Sequence, residues 1–163
     1  ALRQDALADA AREVIDMGFA VGLHTAGPYP RRLHDMVERG LVDWVGLDIK
    51  ALPEHYAQVV GRPNSAPKAW QCLHVLLEAA ADGGPDFEVR TTVVPGDVTA
   101  DDAVEVARRA HETGARVYAL QQVRARGTSG TFPVVAPGWD ARCERMAAEI
   151  EAMGWERFTY RPA

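Results

Sequence analysis

Apolar positions along the chain switch repeatedly between two spacings. Over residues 2–17, Leu2, Ala6, Leu7, Ala10, Val14 and Met17 recur at helical spacing, and Gly18 supplies a stop. FAVGLHT (19–25) then reads as a strand, PYPRRLHDMVERG (28–40) as a helix with proline near its start, and VDWVGLDIK (42–50) as a second strand. Residues 51–66 are loop-like with room for a short helix, and 66–82 form a long helix through Trp70, Leu73, Leu76 and Leu77. FEVRTTVVPG (87–96) is a strand that stops at Pro95-Gly96. Thr99 and Asp102 mark a helix start before 103–114, and RVYALQQVR (116–124) is the fourth strand. A Gly/Pro/Ser-rich loop (126–138), a last helix (139–153) and a short strand, ERFTY (156–160), complete the pattern.

Helix and strand alternate throughout, which predicts βα units on a parallel sheet with right-handed crossovers. Two architectures satisfy that order: an arc of a β/α barrel, or a small flavodoxin-like open sheet. Length favours the small sheet, since a complete barrel takes about 200 residues or more and this chain has 163.

The alternation inside each strand weighs the other way. Val21 and Leu23 share one face of the first strand, and Ala20, Gly22 and His24 share the other. In the second, Asp48 and Lys50 fall on the face of Val42, Trp44 and Gly46. In the third, Glu88, Arg90, Thr92 and Val94 oppose Phe87, Val89, Thr91 and Val93. The fourth adds Gln121 or Gln122. Each strand thus has an apolar side suited to helices and a side of small and polar residues. A sheet covered by helices on both sides should be apolar on both, and burying unpaired charges costs several kcal/mol each. The expected fold is therefore α/β, a partial (β/α) barrel arc of parallel strands with outer helices, the polar faces lining a wet or ligand-filled concavity. The competing reading is a set of mutually paired charges at a sheet edge.

Composition narrows the function. Acidic residues outnumber basic ones, 23 to 18, and the signs are interspersed, so nothing forms the clustered basic face of a nucleic-acid binder. No apolar run approaches a membrane span. Cys72 and Cys143 are far apart and give neither metal-ligand spacing nor a disulfide framework, which predicts free thiols in a reducing cytoplasm. His34, His55, His74 and His111 have no partner at ligand spacing and read as surface or packing residues. The glycines of RGTSG (126–130) lack the context of a phosphate loop, Ser65 and Ser129 lack a His/Asp arrangement, and the four tryptophans read as core fillers. A single domain over 1–163 accounts for all of this.

GLHTAG (22–27), VDWVGLDIKA (42–51), VRTTVVPG (89–96) and YALQQVR (118–124) resemble, in order and spacing, the later strands of the radical S-adenosylmethionine family, in particular the activators of anaerobic ribonucleoside-triphosphate reductase. The resemblance implies strands three to six of an open six-stranded β/α barrel, plus a short C-terminal strand. It implies a protein that, with a 4Fe–4S cluster and S-adenosylmethionine, abstracts hydrogen from a glycine of a partner glycyl-radical enzyme. It places His24, Thr25, Asp48, Lys50 and Arg90 around the cofactor, and Gln122 of the fourth strand is counted with them as a candidate cofactor-binding residue. A carboxylate suits the cofactor's ammonium or a bound monovalent cation, and a Lys/Arg pair suits its carboxylate.

The sequence departs from that family in having no C-x₃-C-x₂-C, no Gly-Gly-Glu-Pro turn, and Ala26 in place of the usual Asn. Residues 1–19 look like the helix that follows a second barrel strand. The chain is therefore expected to represent the C-terminal portion of such an enzyme, with no cofactor bound by itself and inactive alone. The alternative is a cluster-free α/β binding or scaffold module. With its neighbour missing, strand 19–25 would expose an unblunted edge and self-associate.

Overall fold

The computed structural model describes residues 1–124 and 135–163. Its elements run α1 (Leu7–Asp16), β1 (Gly22–Thr25), α2 (Pro30–Glu38), β2 (Trp44–Asp48), α3 (Tyr56–Val60), α4 (Ser65–Ala81), β3 (Asp86–Val93), α5 (Val98–Thr113), β4 (Val117–Gln122), α6 (Trp139–Glu151) and β5 (Arg157–Arg161). The predicted alternation is present throughout, with boundaries moved by a few residues. Most of the loop predicted over 126–138, with RGTSG and Ser129, lies outside the described residues.

All five strands are parallel and lie in sequence order, β1-β2-β3-β4-β5. A flavodoxin-like sheet reverses direction after its first crossover and carries helices on both faces. This order has no such reversal. Successive right-handed crossovers then place their helices on one side, as in an arc of a β/α barrel, and α2 packs on α4, α5 on α6, and α4 and α5 on the sheet.

The register divides the side chains into two faces. Leu23, Val45, Leu47, Val89, Thr91, Val93, Tyr118 and Leu120 turn toward the helices. They form the core with Leu33 of α2, Leu73 and Leu76 of α4, Val106 of α5 and Ile150 of α6, each completely buried. Burying a Leu or Val side chain stabilises by about 1.5–3 kcal/mol, so this apolar side supplies the main driving force for the layer. The polar groups within it are paired: the Tyr118 hydroxyl donates to Thr91 Oγ1 at 2.7 Å, and Thr91 donates to the Ile49 carbonyl at 2.8 Å.

Turns at the C-terminal ends of the strands are fixed by local chemistry. Thr25 Oγ1 accepts from the Gly27 N–H at 3.1 Å. Gly27 has φ +70°, and a Cβ there would lie 2.7 Å from the Ala69 Cα, so only glycine lets this turn close on α4. Helix α5 begins one residue before Thr99 because Asp97 is its cap, accepting from the Thr99 N–H at 2.8 Å. The N-terminal segment does not extend α1 back to Leu2. Leu2 is buried, and Arg32 of α2 holds the segment through the Leu2 carbonyl at 3.1 Å and Asp5 at 2.8 Å.

Candidate functional site

The other face of the sheet carries His24, Trp44, Gly46 and Asp48 on β1 and β2, then Glu88, Arg90 and Thr92 on β3. It continues with Ala119 and Gln121 on β4 and Arg161 on β5. Their parity is as the alternation predicts. The side chains assemble into two networks.

The first centres on Arg90, which pairs in register with Asp48. Its Nε donates to Asp48 Oδ1 at 2.8 Å, and Nη2 lies 2.8 Å from the same oxygen. Its Nη1 reaches His24 Nδ1 on β1 at 2.6 Å. A guanidinium only donates, so Nδ1 of His24 accepts and the ring proton sits on Nε2. His24 also meets Trp44 edge-on, with centroids 5.2 Å apart. To span from β3 to β1, Arg90 lies flat over Gly46; a Cβ there would come within 2.8 Å of Arg90 Cζ and of Trp44 Cη2. The glycine in WVGLD is therefore a seat for the guanidinium. Among the described residues, Asp48 Oδ2 has no short bond, with Lys50 Nζ at 4.0 Å, and the Asp48 side chain is 27% exposed.

The second network centres on Arg161. Its Nη1 and Nη2 donate to the two oxygens of Glu88 at 2.9 and 3.0 Å, and Nη1 also donates to Gln121 Oε1 at 2.7 Å. Gln121 Nε2 in turn donates to Thr92 Oγ1 at 3.1 Å. Ala119 holds the polar-face position of the intervening strand, between the levels of Glu88 and Arg161, and its small side chain leaves the path open. Glu88 is 4% exposed at its side chain.

Of the six residues singled out from sequence, His24, Asp48, Lys50 and Arg90 gather at the C-terminal side of β1–β3. Thr25 and Gln122 do not. Thr25 has the parity of Leu23 and spends its hydroxyl on the Gly27 turn. Gln122 has the parity of Tyr118 and Leu120, and donates to Tyr160 Oη at 2.7 Å and Asp140 at 3.2 Å on the helix side. Gln121 takes the polar-face place, and the alternation within YALQQ was enough to choose it.

Sequence reading missed two partnerships. Arg161 follows the segment ERFTY, and no local pattern links it to Glu88. His55, expected to stand without a partner, has Nδ1 2.9 Å from Asp102, which is buried at the start of α5 and also accepts from the Leu52 N–H at 2.9 Å. This bridge ties the loop after Lys50 to α5. The nearby Tyr56 phenol is buried, and among the described residues it has no hydrogen bond of good geometry, only a weak approach to the Lys50 backbone. Burial, with the charge of Asp48 adding to it, pushes its pKa to about 12. Trp44 is also no core filler, since it stands half-buried on the polar face.

Both cysteines are buried free thiols on different helices. Among the described residues, no group of three or more His, Cys, Asp or Glu side chains could hold a metal, and no helix is long and apolar enough to cross a membrane.

No family model matches the chain. It is similar to a candidate glycyl-radical enzyme activating enzyme from Methanocaldococcus jannaschii, with 25% identity over 121 residues. That match covers 74% of this chain and 50% of the archaeal protein, so the chain spans about half the length of the curated relative it resembles.

Proposed function

We propose that the chain is the later portion of a radical S-adenosylmethionine activating enzyme, a single partial-barrel domain over 1–163 that presents the amino-acid end of the cofactor with its polar groups. The observation that carries this reading is the half-used carboxylate of Asp48. Oδ1 is held by Arg90, while Oδ2 faces outward beside Lys50. An ammonium or a monovalent cation completes Oδ2, and Lys50 offers its charge to a carboxylate. Arg90 positions Asp48, and His24, tethered to Arg90, presents Nε2–H. The similarity to an activating enzyme supports the same assignment.

The residues present do not fit a 4Fe–4S cluster, because Cys72 and Cys143 are buried apart in α4 and α6. Any cluster belongs to a segment outside this sequence. Beside a reduced cluster, bound S-adenosylmethionine supplies one-electron hydrogen-abstraction chemistry. This chain's own part is to hold and orient the cofactor's charged end. The proposed partner is a glycyl-radical enzyme, anaerobic ribonucleoside-triphosphate reductase, and the proposed compartment is the cytoplasm.

The coding sequence upstream of Ala1 tests this first. A C-x₃-C-x₂-C motif there supports the enzyme, and an open reading frame without one overturns it in favour of a cluster-free module. In the longer protein, Asp48→Ala is expected to weaken S-adenosylmethionine binding by about 1–3 kcal/mol, the cost of stranding a charged partner. Unchanged affinity in calorimetry would sink the site assignment.

A further inference from the structure

A second cavity, of about 770 Å³, opens beside the turn after β1 and is lined by Arg3, Pro28, Tyr29, Arg62, Pro63, Ser65 and Lys68. It shares no residue with the polar face. Three of its lining side chains are cations and none is an Asp or Glu, on a chain whose formal net charge is −5. Several surface arginines are neutralised, Arg32 by Asp5, Arg39 by Asp35, Arg109 by Glu105 and Arg142 by Asp101. Others, such as Arg31, Arg116, Arg145 and Arg157, stand exposed without an ion pair among the described residues but do not line this cavity. Arg3, Arg62 and Lys68 enter no ion pair or side-chain hydrogen bond among the described residues. Like charges brought together without a counter-charge repel, so their convergence favours an anion between them.

The backbone agrees with the charges. Helix α4 enters the cavity wall with Ser65 and Lys68 in its first turn. Its N-cap, Asn64, makes no side-chain bond, and no acidic residue stands in that turn. The first turn adds the unpaired N–H groups of Ser65 and Ala66, Pro67 having none, and the positive end of the helix dipole favours an anion there. An anion with several oxygens and more than one charge uses all these donors, whereas a single carboxylate leaves most of them idle.

We propose that this cavity binds a phosphate group, either free or carried on a nucleotide. The probe is pyrophosphate, titrated into the whole chain while amide resonances of Ser65, Ala66 and Lys68 are followed by NMR. Saturable shifts are expected, with affinity about tenfold weaker in R62A/K68A and unchanged in R145A, which removes an exposed cation of α6. A thermal melt of each variant confirms that it is folded. ADP binding more tightly than pyrophosphate assigns the phosphate to a nucleotide, and equal affinity assigns it to the free anion. Shifts that do not saturate, equal binding by R62A/K68A, or equal competition by a polyglutamate peptide would overturn the proposal.

Discussion

The two halves of the polar face are built alike and finished differently. In each, an arginine crosses an intervening strand over a small residue, Arg90 over Gly46 and Arg161 past Ala119, to join strands that are not neighbours. Yet Glu88 receives one donor on each oxygen and is sealed from water, whereas Asp48 receives both donors on one oxygen and leaves the other outward. A carboxylate satisfied on both oxygens and buried has nothing left to offer a ligand. One that is oriented but half-satisfied is prepared for one. The same chemistry thus braces the sheet at β3–β5 and opens a valence at β1–β3.

The largest expected effect comes from breaking the closed half. Arg161→Ala strands a buried Glu88 and should destabilise the fold by about 3 kcal/mol in urea unfolding. The double change Arg161→Met/Glu88→Leu should recover most of that loss. A single mutant within about 0.5 kcal/mol of the parent would show that the brace does not hold the sheet.

Alkaline pH should come next, through the groups behind the open half. Burial raises the Cys72 thiol from 9.0 to about 12 and, with Asp48 adding, the Tyr56 phenol from 10.0 to about 12. Both folded values lie above the unfolded ones, so their contribution is full below pH 9 and is lost as pH rises toward 12. Cys72 alone should cost about 2–3 kcal/mol by pH 11. The unfolding midpoint of Cys72→Ala, measured against pH, should fall less steeply; an identical slope refutes the assignment.

Gly46→Ala should follow at about 1–2 kcal/mol, because its Cβ forces Arg90 or Trp44 aside. The diagnostic is loss of the contact between His24 and Arg90, visible as a shift of the His24 ring resonances. Smallest should be Asp48→Asn, which keeps an acceptor for Arg90 and faces water at its other atom. Its stability should change by less than about 1 kcal/mol. A loss comparable to Arg161→Ala would erase the distinction between the halves.

Much of this was legible in the sequence for a physical reason: strand alternation fixes which side chains share a face before any fold is known. WVGLD and FEVRTTV carried Asp48, Glu88 and Arg90 to one side, and HT carried His24. The same rule, applied within YALQQ, separates Gln121 from Gln122, and applied to HT it separates His24 from Thr25. Thr25 enters the candidate site by resemblance, against its own parity, and Gln122 is one of the two alternatives that the fourth strand leaves open. No such rule reaches Glu88 to Arg161, which are 73 positions apart, or His55 to Asp102, 47 apart. The self-association expected through strand 19–25 concerns a surface beyond a single chain. That strand does stand at the sheet edge, with Met17 and Phe19 exposed beside its start.

By itself, then, the sequence determined the alternating elements, the parallel sheet and the sidedness of each strand. These follow from periodicities of two and 3.6 residues that act locally. The tertiary structure decided the strand order, the choice between an arc and a reversed sheet, and which charges close on one another. Register between strands sets which residues meet across the sheet, and it arises only when helices and strands pack together.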